Sequence, residues 1–155
     1  MNRIPKIVAT FGGVGYLPLA PGTWGSLAAT LVYLGLGWTI NNSSWLPFLL
    51  ILLSGLIYFL GVWAVKKLQE EWVNDPSRVV IDEACGIFVT LIPFAFSITN
   101  AILGFILFRI FDIWKPFGIR KIDQMEDAAG HHVMLDDVAA GIYAAVILGV
   151  INLWL

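Results

Sequence analysis

The sequence predicts an all-α protein, a polytopic membrane helical bundle of about four to five apolar helices, some short or re-entrant, with its loops on the cytoplasmic side. Three observations carry this reading. Hydrophobic residues make up 59% of the 155 and charged residues only 13%, with a mean hydropathy of +0.83; an ordinary soluble domain carries about 25% charged residues. Residues 46 to 65, LPFLLILLSGLIYFLGVWAV, supply the roughly 20 apolar residues that a helix needs to cross the hydrocarbon core. The charges gather at alternate ends of the apolar runs, which places them on one face of a bilayer. No linker, charge block, low-complexity tract or repeat divides the chain, so residues 1–155 are expected to form a single domain.

Each element has its reason in the local pattern. Arg3 and Lys6 open the chain, but Gly12, Gly13, Pro18, Pro21 and Gly22 break up the stretch after them. No secretion-signal core forms there, and the N-terminus is expected to be retained. Residues 13 to 27, GVGYLPLAPGTWGSL, read as an irregular loop at the membrane surface, with Thr23 or Ser26 free to cap the helix after it. The loop has no GxxxxGK[ST] or GxGxxG pattern, which argues against a nucleotide site, although its backbone N–H groups could face a phosphate. Residues 26 to 40 form a short first span and residues 46 to 65 the second. Residues 84 to 111 are apolar but broken by Pro93 and by SITN at 97 to 100. They read as two short helices that either cross separately or form a re-entrant hairpin. Residues 138 to 155 complete the last span.

The uncharged stretches NNSSW and SITN fall at one end of these runs. Arg3, Lys6, Lys66, Lys67, Glu70, Glu71, Asp75, Arg78, Asp82, Glu83 and everything charged from Arg109 to Asp137 fall at the other. This parity holds whether the middle hairpin crosses or re-enters, and the positive-inside rule assigns the charged end to the cytoplasm. The net charge of −2 argues against nucleic acid as a partner. Cys85, the only cysteine, excludes a disulfide framework or thiolate metal site and reads as packing. Trp24, Trp38, Trp45, Trp63, Trp72, Trp114 and Trp154 read as interfacial anchors.

Three polar clusters could carry chemistry. Asp82 and Glu83 stand at an expected helix start, where acidic residues also serve as caps and dipole partners. Asp136 and Asp137 invite the same two readings. Arg109, Asp112 and Lys115 recur at i, i+3 and i+6 as an apolar helix ends, and Pro116 disfavours helical geometry at Lys115. That cluster reads either as a salt-bridged helix end or as part of a site. Together the clusters place carboxylates and cations at three apolar boundaries on one face. Carboxylates without cysteine favour a hard divalent ion, magnesium first and manganese as a substitute, while Arg109 and Lys115 suit phosphate. A water activated by the metal or by a carboxylate would then attack phosphorus. His131 and His132 diverge on a helix and read as surface or interfacial residues.

In order along the chain, LPLAPGTWGS at 17 to 26, IDEACG at 81 to 86, FRIFDIWKP at 108 to 116 and VMLDDVAAG at 133 to 141 resemble the phosphatidylglycerophosphatase A family over nearly the whole sequence. The resemblance implies a multi-pass enzyme of the bacterial inner (plasma) membrane. Its expected reaction is magnesium-dependent removal of the terminal phosphate of phosphatidylglycerophosphate, giving phosphatidylglycerol, with the active site facing the cytoplasm. Carried onto this chain, the family's motif residues fall on Asp82, Glu83, Asp112, Asp136 and Asp137 as the catalytic and metal-ligand pool, and on Arg109 and Lys115 as phosphate binders. Arg78 is a further candidate phosphate binder and Asp123 a second-tier candidate. The implied partners are the lipid substrate and the bilayer, with no obligate protein partner. Two departures stand out: Gly118 in KPFGI, expected to loosen that turn, and His131 and His132 where the family has small residues. Sequence patterns of other lipid-phosphate enzymes, DGxxAR, PSGH and DxDxT, do not occur. A small transporter or channel would place charge at mid-membrane or at both mouths, and a structural membrane subunit would tolerate Asp112→Asn.

Overall fold

The computed structural model describes residues 3–40, 44–72, 76–116, 118–123 and 130–154. Every regular element among them is helical: α1 (Arg3–Ala9), α2 (Pro21–Thr39), α3 (Leu46–Leu68), α4 (Ile81–Leu91), α5 (Ile98–Trp114), α6 (Ile119–Asp123) and α7 (His131–Asn152), with 3-10 turns at Val14–Tyr16 and Pro76–Arg78. Of the helices among the described residues, α3 and α7 are long and apolar enough to cross a membrane. Asp75 and the side chain of Asp123 lie outside the described residues.

The architecture is a short helix enclosed by four longer ones. α4 spans only 11 residues, about 16 Å at the α-helical rise, and packs on α2, α3, α5 and α7. Ala84, Cys85, Ile87, Phe88, Thr90 and Leu91 are all buried along it. Small residues allow this enclosure. A Cβ on Gly141 of α7 would lie 2.5 Å from the Gly86 carbonyl oxygen of α4, and one on Gly86 would meet Phe108 of α5 and, at 2.8 Å, the Asp137 carbonyl oxygen. Thr90 Oγ1 donates to the Gly86 carbonyl at 2.8 Å and also reaches that of Gly141 at 3.3 Å. The buried hydroxyls of Ser26 and Ser54 are satisfied within their own helices: Ser26 donates to Gly22 O at 2.8 Å and Ser54 to Leu50 O at 2.7 Å. Buried polar groups need such partners where water is absent.

In chain order α2, α3, α4, α5 and α7 alternate in direction, which gathers the starts of α2, α4 and α7 with the ends of α3 and α5. Gly61 and Val65 of α3 abut Met134 and Gly130 respectively, while Lys6 of α1 pairs with Glu71 just beyond α3. At the other end, Asn152 Nδ2 donates to Asn100 Oδ1 at 3.1 Å, and the ring of Phe96, in the α4–α5 connection, packs against Gly37 and Tyr33 of α2. The outward faces are apolar: Ile98, Ile102, Ile106 and Ile110 form an exposed stripe at every fourth residue of α5, and Phe48, Leu52, Leu56 and Phe59 another on α3.

Several boundaries differ from expectation. The 84 to 111 run does divide at Pro93, as expected, but into an 11-residue α4 and a 17-residue α5 that runs on to Trp114. SITN belongs to the start of α5, whose N-cap Ser97 accepts from Thr99 N at 3.2 Å. α2 begins at Pro21 rather than residue 26, with proline at N1, where its missing N–H costs nothing. Neither Thr23 nor Ser26 caps it, because both lie inside the helix. α7 begins at His131 rather than residue 138, since Met134 packs into the core against Gly61. Trp72 is buried with Ala9, Ala64 and Leu68 rather than exposed as an anchor. Gly118 holds φ at +98°, and the turn around it is hydrogen-bonded through Ile119 N to Pro116 O at 3.1 Å and Lys121 N to Gly118 O at 2.9 Å rather than loosened.

Candidate active site

At the charged end of the bundle a cavity of about 520 Å³ opens between the starts of α2, α4 and α7 and the end of α5. Asp82, Glu83, Arg109, Asp112, Lys115, Asp136 and Asp137 all line it. Each arrives by a local rule. α4 starts at Ile81, so Asp82 and Glu83 occupy its first turn, where the helix dipole favours negative charge. Arg109 and Asp112 share a face of the last turns of α5 and form an ion pair. Lys115 closes α5 in the left-handed conformation, φ 48°, and its Nζ reaches Asp136 Oδ2 at 2.7 Å. Asp136 and Asp137 lie in the second turn of α7, inside the helix rather than ahead of it, and are buried.

The carboxylates divide by partner. Asp112 and Asp136 are engaged by Arg109 and Lys115. Asp82, Glu83 and Asp137 instead each present an oxygen such that the three oxygens lie within 4.8 Å of one another. Arg109 lies 3.9 Å from Glu83 and is shared with Asp112. Burial first, then the Glu83 carboxylate beside it, pushes Asp82 well above the ordinary carboxylate range, although the Glu83 N–H donates to its Oδ1 at 3.1 Å. Burial also raises Glu83, against the lowering influence of its hydrogen bond with Asp82 and of Arg109. Buried charge that is poorly paired costs several kcal/mol per ion. A divalent cation among these three oxygens would remove that cost, and the all-oxygen donor set suits a hard ion.

Two orphaned atoms support the fit. Glu83 Oε2 and Arg109 Nε are buried with no hydrogen-bond partner among the described residues. The first can serve a cation and the second a phosphate oxygen.

α2 completes the wall. Pro21 and Gly22 line the cavity, and a Cβ on Gly22 would collide with Glu83 Oε1 and lie 3.2 Å from Arg109 Nη1. Only glycine lets the first turn of α2 approach so closely. The Ala20 N-cap supplies no side-chain bond to the helix's leading N–H groups. His132 also lines the cavity, its Nδ1 buried without a partner among the described residues, whereas His131 bonds to Tyr58 Oη at 2.8 Å. Sequence reading misses His132 because it starts α7 too late; on a helix that residue lies one turn before Asp136. Cys85 is buried next to the site, its thiol donating to Ser54 O at 3.5 Å.

Arg78 does not line this cavity. It lies in a second one of about 380 Å³, which shares the walls Pro21 and Ser77 with the first.

The family model described as phosphatidylglycerophosphatase A matches residues 7–152. A Bacteroides thetaiotaomicron protein named putative phosphatidylinositol-3-phosphatase is 39% identical over 95% of this chain and 92% of its own length. Proteins named phosphatidylglycerophosphatase A from Haemophilus influenzae and Escherichia coli are 37% and 32% identical, covering 100% and 96% of this chain and 92% and 83% of their own lengths. No solved structure matches the chain.

Proposed function

The chain belongs to the phosphatidylglycerophosphatase A family, a family of phosphatases, and from that premise we propose that it hydrolyses the terminal phosphate of phosphatidylglycerophosphate at the cytoplasmic surface of the membrane. The observation that carries the reading is the single cavity where two cations and five carboxylates meet at one end of an apolar bundle. Burying so much charge without a ligand is unfavourable, and a phosphate with a divalent cation supplies the missing partners.

Asp82, Glu83 and Asp137 would hold magnesium. Bound there, the ion supplies positive charge to phosphate oxygens and lowers the pKa of water. Arg109 and Lys115 take the remaining phosphate charge, the guanidinium bidentately and the ammonium as a point charge. Asp112 and Asp136 keep these cations aimed into the cavity and compete with substrate for them. A cavity carboxylate accepts a proton from the attacking water. The water oxygen bonds to phosphorus, the bond from phosphorus to the headgroup oxygen breaks, and that oxygen takes up a proton. The apolar outer faces of α2, α3, α5 and α7 suit a multi-pass bundle of the inner membrane. Exposed Trp24, Trp63 and Trp114 near the charged end, with Trp38, Trp45 and Trp154 near the other, suit its two interfaces.

The relative named for phosphatidylinositol 3-phosphate favours a second substrate reading, since both lipids carry a phosphomonoester on a phosphatidyl headgroup. The test measures phosphate release by detergent-purified protein from phosphatidylglycerophosphate, phosphatidylinositol 3-phosphate and phosphatidic acid, with magnesium and with chelator. Magnesium-dependent release selective for phosphatidylglycerophosphate is expected. Preference for the inositol lipid would replace the substrate. No release from any of the lipids by folded protein would return the transport or structural readings.

A further inference from the structure

α7 opens with two histidines in opposite surroundings. His131 is held by the protein: its Nδ1 hydrogen-bonds to Tyr58 Oη at 2.8 Å, and the two ring centroids lie 5.8 Å apart. His132, one position on, makes no hydrogen bond, ion pair or ring contact among the described residues, although its Nδ1 is buried. Its side chain lines the same cavity as Arg109 and Lys115. A buried ring nitrogen left unpaired carries the full cost of its lost water, so a ligand that bonds to it gains what the free protein lacks. His132 stands one turn nearer the start of α7 than Asp136, about 6 Å along the axis, and Asp136 holds Lys115 Nζ at 2.7 Å. With a phosphate on Arg109 and Lys115, His132 is left to meet the group that the phosphate esterifies.

We propose that His132 is a specificity residue that bonds a free hydroxyl on a carbon next to the phosphate-bearing carbon, and so selects lipids whose headgroup is a phosphorylated polyol. The inference rests on the phosphatase reading above and adds to it the feature that the site recognises beyond phosphate. A neutral imidazole has one donor and one acceptor nitrogen, and a hydroxyl both donates and accepts, so the two match in either tautomer. A phosphate oxygen would match only the N–H. Both lipids weighed above carry such a hydroxyl: phosphatidylglycerophosphate on the middle carbon of its headgroup glycerol, phosphatidylinositol 3-phosphate on the ring carbons beside the phosphate. Phosphatidic acid carries an acyl ester there. A site built to bond a hydroxyl disfavours the analogue without it, because its own polar group is then left unpaired.

Removing the hydroxyl from the substrate and the imidazole from the protein tests the contact from both sides. With the full chain in detergent micelles, kcat/KM is measured for whichever of the two lipids the wild type prefers, and for that lipid's analogue lacking the hydroxyls beside the phosphate-bearing carbon. The wild type is expected to turn over the deoxy analogue about tenfold less well, the loss of one hydrogen bond to a buried group. His132→Ala should lower kcat/KM for the hydroxylated lipid by about the same factor and leave the deoxy analogue as in the wild type. His132→Gln, which keeps a donor and an acceptor, should retain part of the discrimination, and it reads the same contact if His132→Ala does not fold. A wild type that does not distinguish the two lipids overturns the proposal. Equal losses on both lipids in His132→Ala, or discrimination that survives in it, do the same, since the histidine would then act on the phosphate or on the fold, or another group would meet the hydroxyl. Absence of turnover of any phosphomonoester lipid by the wild type overturns instead the phosphatase reading, and the proposal with it.

Discussion

At the scale of single residues, the site is a problem of charge. Asp82, Glu83 and Asp137 hold oxygens within 4.8 Å of one another, and the proposed magnesium ion would relieve their mutual repulsion. Magnesium should therefore raise the Tm of the wild type in detergent. Glu83→Gln and Asp137→Asn should abolish that rise and lower phosphate release by about a hundredfold or more; an undiminished magnesium-dependent Tm rise in both variants would remove the metal from these residues. Asp112 works differently, through its ion pair with Arg109. Asp112→Asn should lower kcat/KM by about tenfold or more while leaving the magnesium-dependent Tm rise in place, because it misaims a phosphate-binding guanidinium. Much of this was legible in the sequence: charged pairs interrupting apolar runs stand out, and the seven side chains so identified line one cavity. How they are partnered was not legible. The split between ion-paired Asp112 and Asp136 and the clustered three depends on contacts between helices distant in sequence. The separate location of Arg78 depends on a three-residue turn packed against Gly15.

At the scale of elements, the seam between α4 and α7 sets the distance between the acidic pairs. Gly141→Ala would place a methyl group 2.5 Å from the Gly86 carbonyl oxygen, which must then move. The cost should be about 1–3 kcal/mol, seen as a lower denaturation midpoint, with activity falling too because Asp137 shifts away from Asp82 and Glu83. An unchanged midpoint would mean that the helices do not meet there. The elements themselves were legible where hydropathy is continuous, as along α3. They are misread where function interrupts the pattern. HHVMLDD looks like a loop before a span, yet it is the first two turns of α7, and His132, Asp136 and Asp137 line a cavity. APG looks like a turn, yet proline at the first helical position is a normal helix start.

At the scale of the whole molecule, the apolar exterior and the gathered charges predict sidedness. In a Cys85→Ala background, cysteines at exposed Ser44 and Gln69 mark the two ends of α3. A membrane-impermeant thiol reagent applied to spheroplasts should label Ser44→Cys directly and Gln69→Cys only after lysis; the reverse pattern would move the site to the other face. The enclosure of α4 also bears on how the protein is made. Thr90 bonds to a residue 51 positions downstream, so the innermost helix is synthesised well before its final neighbour exists. Until α7 arrives, the acidic start of α4 lacks Asp137 beside it and Gly86 lacks Gly141 against it. The nascent chain must therefore hold an unfinished core, and a stall before α7 would leave a species suited to capture by quality-control proteases.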